Sequence, residues 1–372
     1  MKHTLSFHST FARLRTAICA LCLMHGAGAS AQTATSPYMP GVTAEGAAYF
    51  LPKTAVKITL LIEKTTFTPG DFAPYAERYL RLSNVGMKAS ESYRILSVEQ
   101  TAIGLRDTTK AYAVKFNNKT AAINMALAED GVLLAINAQP DKALTAASQG
   151  APFKAAPKPA PLNPRQYMNE EILAAGSTAK MAQLTAQEIY DLRDSRSQLI
   201  KGQADFMPKD GEQLRLMLSQ LDQQDKALTS LFAGTAVCDT TEEVFIVCPA
   251  ETIERQTVFR FSKHFGLVEA DDMSGAPYYI SIENLTQLPA TDREQAAKKK
   301  KAANGLYYNI PGKMRSTLYC GNDVISKKEF PASQFGNVEL LSGDLFNKHF
   351  GTRLWLNPVT GSIEKLEAEQ PK

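Results

Sequence analysis

Val56-Lys57-Ile58-Thr59-Leu60-Leu61-Ile62-Glu63 is the stretch that decides the fold class of this chain of 372 residues. Apolar side chains occupy every second position, from Val56 to Ile62, and most of the residues between them are polar. Alternation with a period of two residues predicts a β-strand with one buried face and one exposed face. The sequence therefore predicts that this part of the chain is β-rich.

Turn and strand signals continue on the C-terminal side of this stretch. The turn Thr68-Pro69-Gly70-Asp71 ends the strand, and apolar residues at helical spacing predict a short helix over 72–80. Further along, the apolar runs Ala122–Leu127 and Val132–Ile136 flank Glu129-Asp130-Gly131. An Asp-Gly pair between apolar runs predicts a β-hairpin, because glycine tolerates positive φ.

Residues 236–372 are predicted to be β-rich as well. Turn-forming residues at 357–361 follow the last of four predicted strands, which are Val258–Phe261, Tyr278–Ile282, Met314–Cys320 and Arg353–Leu356. The two β-rich regions close in a similar way. The number of residues between Phe116-Asn117 and Gly131 equals the number between Phe346-Asn347 and Gly361. This equal spacing suggests two related modules.

A proline-rich segment and two helical stretches separate the β-rich regions. Residues 149–164 are rich in Ala and Pro, which predicts a linker or a surface loop. Residues 177–234 carry apolar stripes at helical spacing that stop at Gly202 and resume after Asp210, a good N-cap. This pattern predicts an αα-hairpin whose stripes pack on each other, and a partner-binding coiled coil is the alternative.

The predicted fold class is therefore α+β, with two β-rich modules and an αα-hairpin between them. Five segments follow from the chain order. They are a signal peptide (1–31), an N-terminal β-rich module (32–148), an Ala/Pro-rich linker (149–176), the helical hairpin (177–234) and a C-terminal β-rich module (235–372).

Residues 1–31 have the features of a signal peptide. A positively charged start precedes a short apolar core over Thr16–Met24, and Ala29-Ser30-Ala31 supplies the small-x-small pattern of a cleavage site. We expect cleavage between Ala31 and Gln32, and export to the periplasm or to the outer cell surface. No later stretch is long and apolar enough to predict a transmembrane helix.

Removal of this leader changes the composition. Without Lys2, Arg13 and Arg15, the 41 Lys and Arg residues fall to the number of Asp and Glu residues, which is 38. The mature chain then has no excess of basic residues that would indicate a nucleic-acid partner. Lipidation at Cys19 or Cys22 is a weaker alternative, because a large aliphatic residue precedes each of them.

The mature sequence contains few residues of the kinds that form active sites. Only two histidines remain, His264 and His349, and neither has a recognisable partner in sequence. A Gly-x-Ser-x-Gly elbow, zinc-ligand spacing, a Walker A loop and a Gly-x-Gly-x-x-Gly loop are all missing. We therefore predict no catalytic, metal-binding or cofactor-binding residue, and no cofactor.

Cys238 and Cys248 form a candidate disulfide. In an oxidising compartment they could bridge two strands of a hairpin that turns at Thr241-Glu242-Glu243. The alternative is that both are unpaired residues of the core, together with Cys320.

Two further groups of residues have both a functional and a structural interpretation. Asp271-Asp272, followed by Ser274-Gly275, could hold calcium or act as glycosidase carboxylates, but turn capping is the favoured interpretation. Aromatic residues could form a sugar platform, although such residues in strands more often belong to the core; they are Tyr278, Tyr279, Tyr307, Tyr308 and Trp355. The run Lys298–Lys301 is interpreted as a solvated surface.

Several longer motifs are spread along most of the chain; they include Pro69–Leu80, patches between Asp210 and Gly234, Ala270–Gly275 and Asn357–Gly361. Together they resemble a family of secreted Bacteroidales proteins known as domain of unknown function 4831. The resemblance implies an envelope location and a shared fold. It implies no activity, so it assigns no catalytic residue.

These observations favour a non-enzymatic protein that binds or scaffolds another component of the cell envelope. The partner would be another envelope protein or a glycan. The alternative is a hydrolase that acts on glycan or peptide with carboxylates alone. The two hypotheses predict different surfaces, since a hydrolase needs a deep pocket with carboxylates of raised pKa and a binding protein needs an exposed apolar patch.

Overall fold

The computed structural model describes residues 34–38, 47–115, 124–143, 153, 162–208, 210–287, 305–346 and 351–369. The predicted signal peptide, with its cleavage site between Ala31 and Gln32, lies outside these residues, as do His349 and Lys298–Lys301. The described helices are α1 (Ala76–Leu80), α2 (Glu170–Leu173), α3 (Thr178–Lys201) and α4 (Gly211–Ala233). None of them combines the length and the hydropathy needed to cross a bilayer.

The described strands form three sheets. In chain order they are β1 (Ala34–Pro37), β2 (Ala47–Thr68), β3 (Ser90–Lys115), β4 (Met125–Leu127), β5 (Leu133–Ile136), β6 (Thr235–Val247), β7 (Ile253–Ser262), β8 (Gly266–Val268), β9 (Ala276–Asn284), β10 (Gly305–Cys320), β11 (Asp323–Ser342), β12 (Gly351–Leu356) and β13 (Ile363–Glu369). The first sheet has the order β1-β3-β2-β6, the second β11-β10-β9-β7-β8 and the third β13-β12-β5-β4. The predicted α+β class, with more strand than helix, is confirmed.

Strand β2 is the centre of the first sheet and is longer than the stretch that predicted it. It spans 22 residues and pairs with β3 on one edge and with β6 on the other. Val56, Ile58, Leu60 and Ile62 are buried, while the residues between them are half-buried. The prediction of a strand with two different faces is therefore confirmed.

The division into an N-terminal module (32–148) and a C-terminal module (235–372) is not confirmed. Strand β6, from the C-terminal region, completes the first sheet by pairing with β2. Strand β5, from the N-terminal region, pairs with β12 in the third sheet, where Leu354 lies opposite Ile136. Both regions thus contribute to the same sheets, because their strands complete each other's hydrogen bonding.

Two hydrophobic cores lie between the sheets, and β2 contributes to both. The first core joins the even-numbered apolar residues of β2 to residues of the second sheet such as Phe259 and Ile280. The second core joins Tyr49 and Leu51 to residues of the third sheet such as Leu354. Strand β2 therefore changes its buried face between Leu51 and Val56.

Amide and hydroxyl side chains bond the backbone where β2 changes its buried face. Asn309 Nδ2 donates to the carbonyl of Pro52 at 2.9 Å, and Ser333 Oγ donates to the same carbonyl at 2.9 Å. Gln334 bonds both backbone groups of Thr54, since its Nε2 donates to the carbonyl at 2.9 Å and its Oε1 accepts from the N–H at 3.1 Å. We call these five residues the polar junction.

A third core holds the helices against the end of β2. Phe72, which follows β2, packs on Phe232 near the end of α4 with ring centroids 5.4 Å apart. The N–H of Phe72 donates to the carbonyl of Leu231 at 2.7 Å. Gly70 lies so close to this turn of α4 that an added Cβ would stand 2.1 Å from the Leu231 carbonyl oxygen.

Replacement of Gly70 by alanine should destabilise the protein. Because the Cβ would overlap the backbone of α4, we expect the free energy of unfolding to fall by about 1–3 kcal/mol. Chemical denaturation followed by circular dichroism measures this change.

Gly176→Ala is the matched control, because a Cβ at Gly176 would meet nothing within 4 Å. It should change the free energy of unfolding by less than about 0.5 kcal/mol. Equal stability of the two variants would show that the contact between Gly70 and Leu231 does not hold α4 in place.

Candidate functional site

Helices α3 and α4 lie side by side, and we call them the helical pair. The side chain of Asp210 accepts from the N–H of Gln213 at 2.7 Å, so this residue is the N-cap of α4 as predicted. The helix ends at Ala233, and its C-cap Gly234 directly precedes β6. The position of α4 is therefore tied to the first sheet by the chain itself.

Ion pairs fix how the two helices face each other. Arg193 Nη2 of α3 lies 3.1 Å from Asp225 Oδ1 of α4, and Arg196 Nε lies 2.7 Å from Asp222 Oδ1. Asp225 interrupts an apolar row in the sequence, and its contact with Arg193 explains that interruption. Because these pairs are partly exposed, each adds only about 0–1 kcal/mol to stability, and their main effect is to set the register of the helices.

The helical pair is well packed at one end and open at the other. Near the sheet, Ala182 and Ile189 of α3 and Leu228 and Phe232 of α4 are fully buried. At the far end, an open groove of about 480 Å³ lies between the helices and their connecting loop. Its lining residues are Ser195, Gln198, Leu199, Ala204, Phe206, Leu216, Met217, Gln220 and Leu221.

Large apolar side chains that line this groove, or that lie next to a lining residue in the chain, are exposed to solvent. The exposed fraction is 68% for Phe206, 61% for Leu216 and 57% for Ile200, and Met207 is also exposed. We call these four residues together with the groove the apolar tip. Clustered exposure of this kind is unusual for a protein surface and is typical of interaction sites.

The chemistry of the groove is apolar and uncharged. Its polar lining residues are the hydroxyl of Ser195 and the amides of Gln198 and Gln220. None of the lining residues carries a charge or a group suited to general acid–base catalysis. The groove can therefore accept an apolar group and orient it by hydrogen bonds, but its lining offers no catalytic acid or base.

The structure does not contain the candidate disulfide between Cys238 and Cys248, and both thiols are free. Cys238 lies in β6 and Cys248 directly after it, and β6 continues straight through the turn expected at Thr241-Glu242-Glu243. Ten residues of extended strand separate the two Cα atoms by about 33 Å, and a disulfide needs less than about 7 Å. Strand β6 stays extended because β2 pairs with it along its whole length.

The cysteines also differ in their surroundings. Cys238 is exposed, and its Sγ lies 3.6 Å from Oγ1 of Thr65, opposite it on β2. Burial raises the pKa of the Cys248 thiol, and nearby Lys53 opposes that rise. Cys320 is half-buried and unpaired.

The acidic pair Asp271-Asp272 caps a turn. Asp272 Oδ1 accepts from the N–H of Ser274 at 2.8 Å, and this bond lowers the pKa of the Asp272 carboxyl. His264 lies in the turn between β7 and β8. In the part of the chain that the structure describes, no three His, Cys, Asp or Glu residues come together as metal ligands.

The aromatic residues considered for a sugar platform do not share one surface. Tyr278 stacks on Phe259 in the first core at 4.4 Å, and burial raises its pKa to about 12. Tyr307 stacks on Tyr112 in the second core at 4.4 Å. Trp355 lies in the third sheet and donates its Nε1–H to the carbonyl of Gln139 at 3.0 Å.

Sequence reasoning did not identify the apolar tip. Phe206 and Met207 lie in the loop between the helices, and Leu216 lies outside the apolar stripe of α4. An apolar residue off the stripe of an amphipathic helix is the signal that could have found this surface.

The sequence matches the family described as DUF4831, a domain of unknown function, over residues 45–364. The chain belongs to this family. The DUF4831 match begins just before β2 and includes the helical pair and the strands of the second sheet. No curated protein and no solved structure matches the chain, and its function is unknown.

Proposed function

We propose that this DUF4831 protein is a non-enzymatic binding protein of the cell envelope that contacts its partner through the apolar tip. The observation that carries the proposal is the exposure of Phe206 and Leu216 in the lining of an uncharged groove. Burial of such side chains against a partner gains about 25 cal/mol for each Å² of apolar surface.

In this proposal the two helices act as one hairpin, residues 177–234, that projects from the sheets. Helix α3 has 24 residues, which correspond to a length of about 36 Å. The third core holds one end of the hairpin, and the ion pairs of Arg193 and Arg196 keep the helices together towards the other. A rigid projection reduces the entropy lost on binding.

The proposed partner is another envelope protein rather than a glycan. A glycan presents many hydroxyl groups and needs a set of polar side chains around an aromatic surface. The apolar tip offers mainly aliphatic side chains and Phe206, with three neutral polar groups in the groove. This composition fits apolar side chains of a protein, as at the centre of protein interfaces.

The residues with shifted pKa values argue against the hydrolase alternative. Neighbouring Lys or Arg residues lower the pKa of Glu91, Glu329 and Glu367. Glu329 lines a second open groove, but it lies 2.5 Å from Lys313 Nζ and 2.9 Å from Arg315 Nη2. A general acid at neutral pH needs the opposite shift.

The proposed location follows from residues 1–31, which have the order of a charged start, an apolar core and a small-residue cleavage pattern. The protein would be exported to the periplasm or to the outer cell surface, where it meets envelope partners.

Loss of the apolar tip should abolish partner binding. We expect the double variant Phe206→Ser and Leu216→Ser to capture much less of the partner from solubilised envelopes than wild type does, because two exposed apolar anchors are lost. Quantitative mass spectrometry of the captured material measures the change. Because both side chains are exposed, the variant should unfold at the same denaturant concentration as wild type.

Met273→Ser is the control for this experiment, since Met273 is 82% exposed in a turn far along the chain from the helical pair. It should capture the same partner as wild type. If the tip variant and the Met273 variant capture the same proteins in the same amounts, the proposed role of the tip is wrong.

Export predicts a defined N-terminus. N-terminal sequencing of protein from fractionated cells should find a chain that begins at Gln32 outside the cytoplasm. Recovery of the chain with Met1 intact in the cytosol would contradict the proposed location.

A further inference from the structure

Strand β6 leaves one edge of the first sheet open. It pairs with β2 without a bulge from Thr235, opposite Thr68, to Val247, opposite Val56. Its other edge pairs with no strand in the described residues. An open edge presents a row of backbone N–H and C=O groups that can pair with another extended chain.

The edge of β6 lacks the features that usually protect an open edge. Proteins protect such edges with short strands, bulges, proline or lysine. Strand β6 has 13 residues, and its sequence TAVCDTTEEVFIV contains no Pro, Lys or Arg. Three of its apolar side chains are also exposed, namely Val237 (53%), Val244 (42%) and Ile246 (53%).

The charges of β6 are all of one sign. Asp239, Glu242 and Glu243 are its only charged residues. Glu242 and Glu243 are neighbours in the strand, so they project to opposite faces of the sheet. Among the described residues, neither carboxylate forms a salt bridge or a hydrogen bond. Both faces beside the edge therefore present negative charge that a basic partner could neutralise.

We propose that β6 is a docking edge for an extended segment of another protein in which apolar and basic residues alternate. Backbone hydrogen bonds to the open edge would give the affinity. Because neighbouring residues project to opposite faces, the partner's apolar residues would contact Val244 and Ile246 on one face, and its basic residues would pair with Glu243 on the other; these contacts would select the partner. This surface is separate from the apolar tip and does not depend on it.

The charges also argue against a second copy of the chain as the occupant. If two β6 strands paired antiparallel along their full length, Asp239 of each would lie opposite Glu243 of the other. If they paired parallel and in register, each acidic residue would lie beside its own copy. Like charges in opposing positions destabilise a sheet, whereas basic residues in those positions would stabilise it.

The test uses the full mature chain and short synthetic peptides labelled with a fluorophore. In one peptide Val and Lys alternate, and in the second Val and Glu alternate. The third repeats the Val-Lys sequence with N-methyl groups on every second residue, so that one edge cannot donate hydrogen bonds. Fluorescence anisotropy should show the Val-Lys peptide binding at least about tenfold more tightly than the Val-Glu and N-methylated peptides.

Charge reversal supplies the second measurement. Glu242→Lys combined with Glu243→Lys should reverse the preference, so that the Val-Glu peptide binds more tightly than the Val-Lys peptide. Glu170→Lys combined with Glu171→Lys is the matched control, because these two glutamates are also adjacent in the chain, but lie in α2. This control should bind the peptides as wild type does.

Three results would overturn the proposal. The first is equal binding of the Val-Lys peptide and its N-methylated form by wild type, which would show that charge alone attracts the peptide. The second is an unchanged preference after reversal at Glu242 and Glu243. The third is a dimer of the free chain, seen by analytical ultracentrifugation, whose β6 amides are protected from hydrogen exchange, since a second copy would then fill the edge.

Discussion

The polar junction is the constraint on which the arrangement of the sheets depends. Strand β6 pairs with β2 only from Val56 to Thr68, so the backbone groups on that edge of β2 before Val56 need other hydrogen-bond partners. This part of β2 is buried, and Thr54, Asn309 and Ser333 are fully inaccessible. The amides of Asn309 and Gln334 supply the missing hydrogen bonds. Without them, each unpaired buried group would cost about 1–3 kcal/mol.

The same strand determines where the helical pair lies. Beyond the junction, β2 remains paired with β6 as far as Thr68, and the chain then turns at Gly70 against the last turn of α4. Helix α4 ends at Ala233 with Gly234 as its C-cap, and β6 begins at the next residue. The helices are therefore attached to the first sheet through both β2 and β6, and the apolar tip is at the end of the helices away from this attachment.

Local features of the fold could be predicted from the sequence. The alternation at 56–63, the N-cap at Asp210 and the turn at Gly131 each depend on residues close together in the chain, and the structure contains all three. The pairing of strands could not be predicted in this way. The sequence of β6 predicts a hairpin because Thr241-Glu242-Glu243 is polar. In the structure, pairing with thirteen residues of β2 keeps the strand extended.

The candidate site was hidden for a related reason. Because 44% of the residues are hydrophobic, nothing in the sequence distinguishes Leu216 and Phe206 from apolar residues of the core. Their exposure depends on where α3 and α4 separate, and that depends on long-range packing. The open edge of β6 is likewise a property of the sheet order and has no local signature. For the same reason, sequence could not show that strands from the two β-rich regions share sheets.

We propose that the apolar tip contacts a partner while the sheets support it. The most direct measurement is photo-crosslinking in intact cells, with benzoylphenylalanine in place of Phe206 and, as a control, in place of Met273. We expect one defined crosslinked protein from position 206 and none from position 273. The same pattern of products from both positions, or no product from position 206, would contradict this proposal.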